Sequence, residues 1–362
     1  MTTYLLAGGG TAGHVNPLLA VADRIRDREP DATILVLGTA EGLEARLVPQ
    51  RGYELLTIAR LPFPRRASVA ALRFPARFRA AVAQTRAYLD DRGVDVVVGF
   101  GGYAAAPAYI AAARAHLPLV IHEANAKPGM ANRVGSRFTR YVGVAFNATR
   151  LRGGRVVGMP LRREIERLDR GASRAEGLRF FGLDADKPVL LVTGGSLGAR
   201  KLNATVSEAI ALILGSGWQV LHIAGNRSEV RDPLLPGYTL LEYCDRMDLA
   251  IAVADLAIAR SGAATVSELS AVGVAAVYVP YPVGNGEQRF NAKDAVAAGA
   301  ARLVADADFT PAWIARDLLP LLRDRAAIAE MAAATITVGS RDGADRMIDL
   351  INSARASHPA SV

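Results

Sequence analysis

Gly8, Gly10 and Gly13 stand at G-x-G-x-x-G spacing in LLAGGGTAGHVNP, residues 5–17. They follow an apolar run and precede a helical pattern, the arrangement that lays backbone N–H groups against a pyrophosphate. His14 comes directly after the last glycine. Its imidazole, with an ordinary pKa of about 6.5, can take a proton near neutrality. GGSLG, 194–198, offers a second glycine loop with Ser196 at its centre. ARSGAATVSELSAVG, 259–273, offers a third turn: a strand ends at Ala259, Ser261-Gly262 reverse the chain, and a helix begins near Ala263. Its first amides favour an anion. Glu268, less than two turns in, can accept from a ribose diol, or be a solvated residue behind a simple cap. VPYPVGNGEQRFNA, 279–292, follows the next strand and brings Gln288 and Asn291, uncharged groups suited to sugar hydroxyls. A diphosphate cradle, a ribose acceptor and sugar contacts describe a nucleotide-sugar site.

Three other motifs lead elsewhere and each lacks a part. A dinucleotide site needs an acid at the end of the second strand, but TILVLGTAEG ends in Gly38-Thr39, with Asp31 before the strand and Glu41 beyond it. GGSLG is formally a nucleophile elbow, which needs a later acid and histidine. Only His222, inside an apolar strand, and His358, near the end, follow it. D-x-D occurs at Asp184–Asp186 and Asp306–Asp308, where a turn and a capped helix start explain it. No metal site is predicted.

The elements that would carry these residues alternate. TYLLAG, ATILVLG, VDVVVGF and LPLVIHE are near-continuous apolar runs with helical patterns between the earlier ones, as in parallel sheets buried on both faces. RVVGMPLRRE, 155–164, closes this series, and KPVLLVTGGSLGAR restarts it. WQVLHIAG, DLAIARSG and VAAVYVP continue a second sheet. The pattern predicts an α/β protein of two Rossmann-like domains facing each other across a cleft, residues 1–160 and 161–341. A last helix at about 342–356 can pack on either by pattern alone.

The chain has 362 residues, a length that suits two domains, with 43 basic and 35 acidic residues and one cysteine, Cys244. A lone cysteine excludes an intramolecular disulfide and fits a reducing compartment. MTTYLLAGGG lacks the basic start of a signal peptide, and no run approaches the length of a membrane-spanning helix. From Arg60 to Arg86 there are seven arginines and no acid, interleaved with Leu61, Phe63, Leu72, Phe74 and Phe78. That mixture suits an anionic membrane surface, or else a solvated loop and an ordinary amphipathic helix. No nucleic-acid recognition motif accompanies it.

The ordered set GGGTAGHVNP, GFGGYAAAP, IHEANAKPGMANR, VVGMPLR, TGGSLGAR, ARSGAATVSE and GNGEQRFNA resembles the MurG family of UDP-N-acetylglucosamine transferases across nearly the whole chain. The resemblance implies a glycosyltransferase-B fold needing no cofactor and no metal, with the last helix returning to the first domain. It implies UDP-GlcNAc in the second domain and the acceptor, lipid I, in the first. Thr11, Ala12 and Gly13 would lie near the donor sugar and diphosphate, and Asn125 would contact the sugar. Arg162 and Ser196 would bind diphosphate, and backbone at Cys244 would read uracil. Ala263, Ala264 and Thr265, extending to Val266 and Ser267, would form the phosphate-binding helix start; Glu268 would take the ribose and Gln288 the sugar. Ala12, Ala124 and Glu287 stand where family members often have Gly, Gln and Gln.

The implied reaction inverts the configuration of GlcNAc by a single displacement onto lipid I, giving lipid II. It needs a base and positive potential at the leaving diphosphate. His14 is one candidate base and equally a capping residue that positions substrate. Glu123 is the other, with a rival role in structuring its loop. The family also implies docking at the cytoplasmic face of the membrane, peripherally through residues 60–86, and contacts with other cell-wall synthesis enzymes. A glycolipid synthase adding sugar to diacylglycerol, a Rossmann oxidoreductase and a non-catalytic scaffold are the alternatives.

Overall fold

The computed structural model describes residues 1–64, 68–195, 199–226, 228–283 and 286–358. The chain divides into two compact units, Met1–Arg162 with the segment from Arg341 onward, and Arg163–Ser340.

The first unit is built on a sheet of seven parallel strands: β1 (Thr3–Ala7), β2 (Thr33–Gly38), β3 (Glu54–Thr57), β4 (Val96–Gly99), β5 (Leu119–Glu123), β6 (Tyr141–Val144) and β7 (Gly154–Val156). Their order is β3-β2-β1-β4-β5-β6-β7. Side chains alternate between the two faces. Tyr4, Leu6, Val36 and Val98 join one core, and Leu5, Ala7, Leu37 and Val97 join the other. Because both faces are buried, the strands read as unbroken apolar runs rather than alternating ones. Each large aliphatic side chain buried this way contributes roughly 1.5–3 kcal/mol against the entropy of ordering the chain.

The first core is covered by the helices Ala12–Arg28 and Gly343–Ala356, the second by Val69–Asp91 and Ala105–Arg114. The last helix thus belongs to the first unit. Met347, Ile348 and Ile351 enter its core. Asp345 accepts from Arg24 at 2.7 Å and also from Arg28, and Arg355 pairs with Glu29 at 2.9 Å. Those charge pairs link residues over 300 positions apart, so no local pattern could reveal them.

The second unit carries six parallel strands: β8 (Val189–Thr193), β9 (Gln219–Ile223), β10 (Tyr238–Leu241), β11 (Leu256–Ala259), β12 (Ala275–Tyr278) and β13 (Ala301–Leu303). Their order is β10-β9-β8-β11-β12-β13. Leu190, Val192, Val220, Ile258 and Val277 pack with Leu202 and Val206 of the helix Arg200–Glu208.

Each sheet reverses its winding once, between β1 and β4 and between β8 and β11. Crossovers leave these strand pairs toward opposite faces, which opens a crevice at the carboxyl edge where ligands bind in such folds. The loops at residues 8–11 and 100–104, residues 194–195, and the turn at 260–262 follow these four strands.

Gly99, at the end of β4, has no room for a side chain: a Cβ there would lie 1.9 Å from Cε1 of the fully buried Tyr109. Gly99→Ala is expected to cost about 1–3 kcal/mol by overpacking. It would lower the urea midpoint without changing the slope. An unchanged midpoint would mean that Tyr109 relaxes freely.

Candidate functional site

In the first unit Thr11 is the N-cap of the helix Ala12–Arg28, in extended conformation. Its hydroxyl makes no cap bond and lies instead 3.2 Å from Nδ1 of His14. The same nitrogen lies 3.2 Å from the carbonyl oxygen of Gly9. A carbonyl can only accept, so Nδ1 carries the proton of that bond and Nε2 is left as the basic nitrogen. Burial lowers the pKa of His14, while the carboxylates of Glu123 and Glu44 and the Gly9 carbonyl pull it up. His14 is partly exposed, and Ala12 and Gly13 beside it are partly exposed too.

Glu44 was not anticipated from the sequence. It opens the helix Glu44–Gln50 and is fully buried. Its Oε2 accepts from the Gly10 N–H at 2.8 Å. Its Oε1 accepts from the Thr39 N–H at 2.9 Å and the Thr39 hydroxyl at 2.8 Å. A Cβ on Gly9, Gly38 or Gly42 would fall within 2.5 Å of this side chain. Gly9, Gly38 and Gly42 therefore form a socket for the chain's own carboxylate, which also takes the N–H of Gly10, one of the three glycines that suggested a pyrophosphate cradle. The available signal was those glycines together with a Glu one helical step beyond the strand.

Glu123, at the end of β5, is also buried. Its Oε1 accepts from the Asn125 N–H at 2.9 Å, and its Oε2 from the Gly129 N–H and the Asn132 amide, both at 2.9 Å. Tyr109 in turn donates to the Asn132 carbonyl at 2.6 Å. This carboxylate holds the loop 124–129 in shape. Asn125 is partly exposed on that loop, and Arg162, also partly exposed, ends the unit. His122 is sealed in the sheet, its Nε2 3.0 Å from the Gly158 carbonyl, with burial pushing its pKa down to about 4. His116 is an exposed turn residue.

In the second unit Gly195 takes a positive φ of 85° and donates to the Thr193 hydroxyl at 3.3 Å. Ser196 lies outside the described residues. A cavity of about 1030 Å³ brings Gly194, Arg200, Asn203, Arg260, Tyr281 and Gln288 to one wall. Arg260, which the sequence reading passed over, is buried and donates to Asp306 at 2.6 Å and the Val279 carbonyl at 3.0 Å. Asp306, half of a D-x-D pair, is thus a counter-ion. Among the described residues, no group of three or more His, Cys, Asp or Glu could hold a metal. Gln288 accepts from the Tyr281 N–H at 2.9 Å. Asn291, read above as a sugar contact, is buried and donates to the Ser261 carbonyl at 3.2 Å.

The helix Ala263–Ala271 starts at Gly262 without a side-chain cap. The Val266 N–H already bonds the Gly262 carbonyl at 3.0 Å and its side chain is in the core, so the helix end is offered by the amides before it. Ala264, Thr265 and Ser267 are partly exposed, and Glu268 is buried. Among the described residues, the Ser261 hydroxyl at this turn is buried without a hydrogen-bond partner. That costs about 1–3 kcal/mol unless a bound group satisfies it. Cys244, partly buried, sits in the loop after β10.

Two parallel sheets, each with a glycine-bearing loop at its reversal point, match known proteins over their whole length. The Glycosyltransferase family 28 N-terminal domain matches residues 4–144 and the Glycosyltransferase family 28 C-terminal domain residues 189–347. A relative from Leifsonia xyli subsp. xyli is 64% identical, covering 97% of this chain and 98% of its own. One from Streptomyces coelicolor is 48% identical, covering 97% and 98%. Both are named UDP-N-acetylglucosamine–N-acetylmuramyl-(pentapeptide) pyrophosphoryl-undecaprenol N-acetylglucosamine transferase. The chain belongs to the MurG family within glycosyltransferase family 28. The crystal structure of Acinetobacter baumannii MurG superposes with a TM-score of 0.79 at 29% identity, over 98% of this chain and 100% of that one. A calicheamicin glycosyltransferase, at 17% identity and a TM-score of 0.67, shares the fold. The fold is glycosyltransferase-B.

The second unit also holds a buried network. Asn203 donates to the Ala224 carbonyl at 2.8 Å and the Ser228 hydroxyl at 3.0 Å, so its oxygen must accept from Nε2 of His222, 3.2 Å away. Nδ1 of His222 then accepts from the Tyr238 hydroxyl at 2.8 Å. The ring is held neutral, with a pKa lowered by burial to about 4. Its ordinary value is about 6.5, so the unfolded chain binds the proton first as pH falls. The neutral ring's contribution is complete above pH 6.5 and is lost between 6.5 and 4, by roughly 3 kcal/mol. Stability measured against pH should fall across that window, and less steeply in His222→Gln. An equal slope in both would remove His222 as a source.

Proposed function

We propose that this chain transfers N-acetylglucosamine from UDP-N-acetylglucosamine to the 4-hydroxyl of the N-acetylmuramyl sugar of lipid I, forming lipid II for peptidoglycan synthesis. The observation that carries this reading is 64% identity, over nearly the full length of both chains, to a relative of that name. The dinucleotide reading is opposed by the Glu44 carboxylate, which already fills the glycine loop.

The donor's contacts come mainly from the second unit. Ala263, Ala264 and Thr265 at the helix start, with Ser196 and Arg162, hold the diphosphate, and Glu268 takes the ribose. Gln288 and Asn125 meet the sugar, and backbone at Cys244 reads uracil. Thr11, Ala12 and Gly13 lie near the donor sugar and diphosphate, and the acceptor belongs to the first unit, by its glycine loops. His14 Nε2 takes the proton of the acceptor hydroxyl. The hydroxyl oxygen bonds to C1 of the sugar as the C1–O bond to the diphosphate breaks, and UDP leaves with the electron pair. One displacement turns the α-linked donor into a β-linked product. The developing charge on the diphosphate falls where the helix dipole and Arg162 are positive. Glu123, with four hydrogen bonds from protein donors, supports the loop rather than taking the proton.

Acceptor-dependent UDP release should proceed in EDTA, and His14→Ala should lose about 10²–10⁴-fold in turnover while keeping donor affinity. Near-normal turnover in His14→Ala would remove it as the base. Turnover with diacylglycerol in place of the muramyl acceptor would mean a glycolipid synthase.

The site of docking on the cytoplasmic face of the membrane is residues 60–86. Among the described residues no helix is long and apolar enough to cross a membrane. Leu72 and Phe63 are exposed; Phe63 meets Phe74 edge-on at 5.5 Å, and Phe74 stacks on Phe78 at 5.7 Å. A hollow of about 350 Å³ lies between Leu61, Phe63, Phe74 and Arg77. Arg73, Arg77 and Arg79 are exposed around them, and Arg65 and Arg66 lie outside the described residues. Such a surface combines charge attraction with shallow apolar burial. Changing Arg73, Arg77 and Arg79 to Glu should abolish sedimentation with anionic vesicles; unaltered sedimentation would refute the assignment. Contacts with other cell-wall synthesis enzymes are part of the same proposal.

A further inference from the structure

We propose that Glu44 is a positioning residue for His14, acting through a single peptide group. The inference rests on the reading of His14 as the base. The Gly10 N–H that donates to Glu44 Oε2 and the Gly9 carbonyl that faces His14 Nδ1 belong to the same peptide unit. The carboxylate, the peptide and the imidazole therefore form one chain of hydrogen bonds: carboxylate to N–H, C=O to Nδ1–H. Bonds linked in this way polarise one another. A negative charge at the N–H end makes the carbonyl a stronger acceptor. It thereby favours the tautomer with Nδ1 protonated and stabilises the imidazolium formed when Nε2 takes a proton.

The peptide is held from both sides. Glu44 presses on one side of Gly9, where a Cβ would lie 2.3 Å from its Oε1. On the other, a Cβ on Gly102 would lie 2.3 Å from the Gly9 carbonyl oxygen. The loops after β1 and β4 are thus locked together at the carbonyl that orients the ring. The Nε2 edge of His14 faces Gly101, where a Cβ would come within 3.2 Å. Only a glycine leaves that edge open.

Other charges also face His14. Glu123 acts from the end of β5, and His122 lies behind it in the sheet. Arg60 stacks on the Tyr103 ring at 5.1 Å, and that ring flanks Gly10. Removing the Glu44 charge therefore leaves Glu123 in place and shifts the titration of His14 without abolishing it.

The test is nitrogen-resolved NMR of the His14 ring across pH, in the full chain and in Glu44→Gln, with turnover measured over the same range. The wild-type neutral ring should carry its proton on Nδ1. In Glu44→Gln the ring should titrate at lower pH, and the acid limb of turnover should move with it. Turnover should fall about ten-fold, while KM for UDP-N-acetylglucosamine holds within about two-fold. A wild-type ring protonated on Nε2, or a folded Glu44→Gln with an unshifted ring titration, would overturn the proposal. Should Glu44→Gln fail to fold, the wild-type tautomer decides. If His14→Ala keeps its turnover while the ring titration still shifts in Glu44→Gln, the coupling stands and the base assignment fails.

Discussion

Parallel sheets leave backbone N–H groups unpaired where their strands run out and the following helices begin, and each of those groups needs an acceptor. The two units meet this requirement differently. In the first, the chain supplies the acceptors itself: Glu44 takes the Gly10 N–H, and Glu123 takes those of Asn125 and Gly129. In the second, the helix Ala263–Ala271 starts without a side-chain cap, beside a buried Ser261 hydroxyl that has no partner among the described residues. Both the helix Ala12–Arg28 and the helix Ala263–Ala271 begin without a side-chain cap, but only in the first unit does a buried carboxylate take an N–H of the preceding glycine loop.

That difference assigns the work. A loop whose Gly10 N–H is already taken by a buried carboxylate makes a firm mount for a side chain that must point one way. On the proposed reading, His14 is that side chain. A helix start without a side-chain cap favours an anion, which is why the proposed diphosphate contacts fall at Ala263, Ala264 and Thr265. The glycines serve both tasks by different means: Gly9 admits the Glu44 side chain, whereas Gly195 takes a positive φ that a β-carbon would disfavour.

Much of the architecture was legible because strands buried on both faces leave an unmistakable record of apolar runs such as VVVG and VLLVT. The seat of the last helix was not, since the charge pairs of Asp345 and Arg355 with residues near the start of the chain have no local signature. The glycine loops were legible as loops at strand ends. Their occupant was not: G-x-G-x-x-G states how closely something approaches the backbone, not whether it is a phosphate or a glutamate. Arg260 and Asn203 escaped notice for a similar reason. Each sits in an apolar or helical stretch, and its partners Asp306 and His222 come from distant elements. Asn291 failed in the other direction, a polar residue near the site whose amide is committed to the Ser261 carbonyl.

The most direct measurement is residue-resolved amide hydrogen exchange, with and without saturating UDP-N-acetylglucosamine. The account predicts that the Gly10 amide is protected in the free protein and hardly changes, while the amides of Ala263, Ala264 and Thr265 slow on binding. A Gly10 amide that exchanges freely and becomes protected only with nucleotide would contradict it, and would return the first glycine loop to the role of a phosphate cradle.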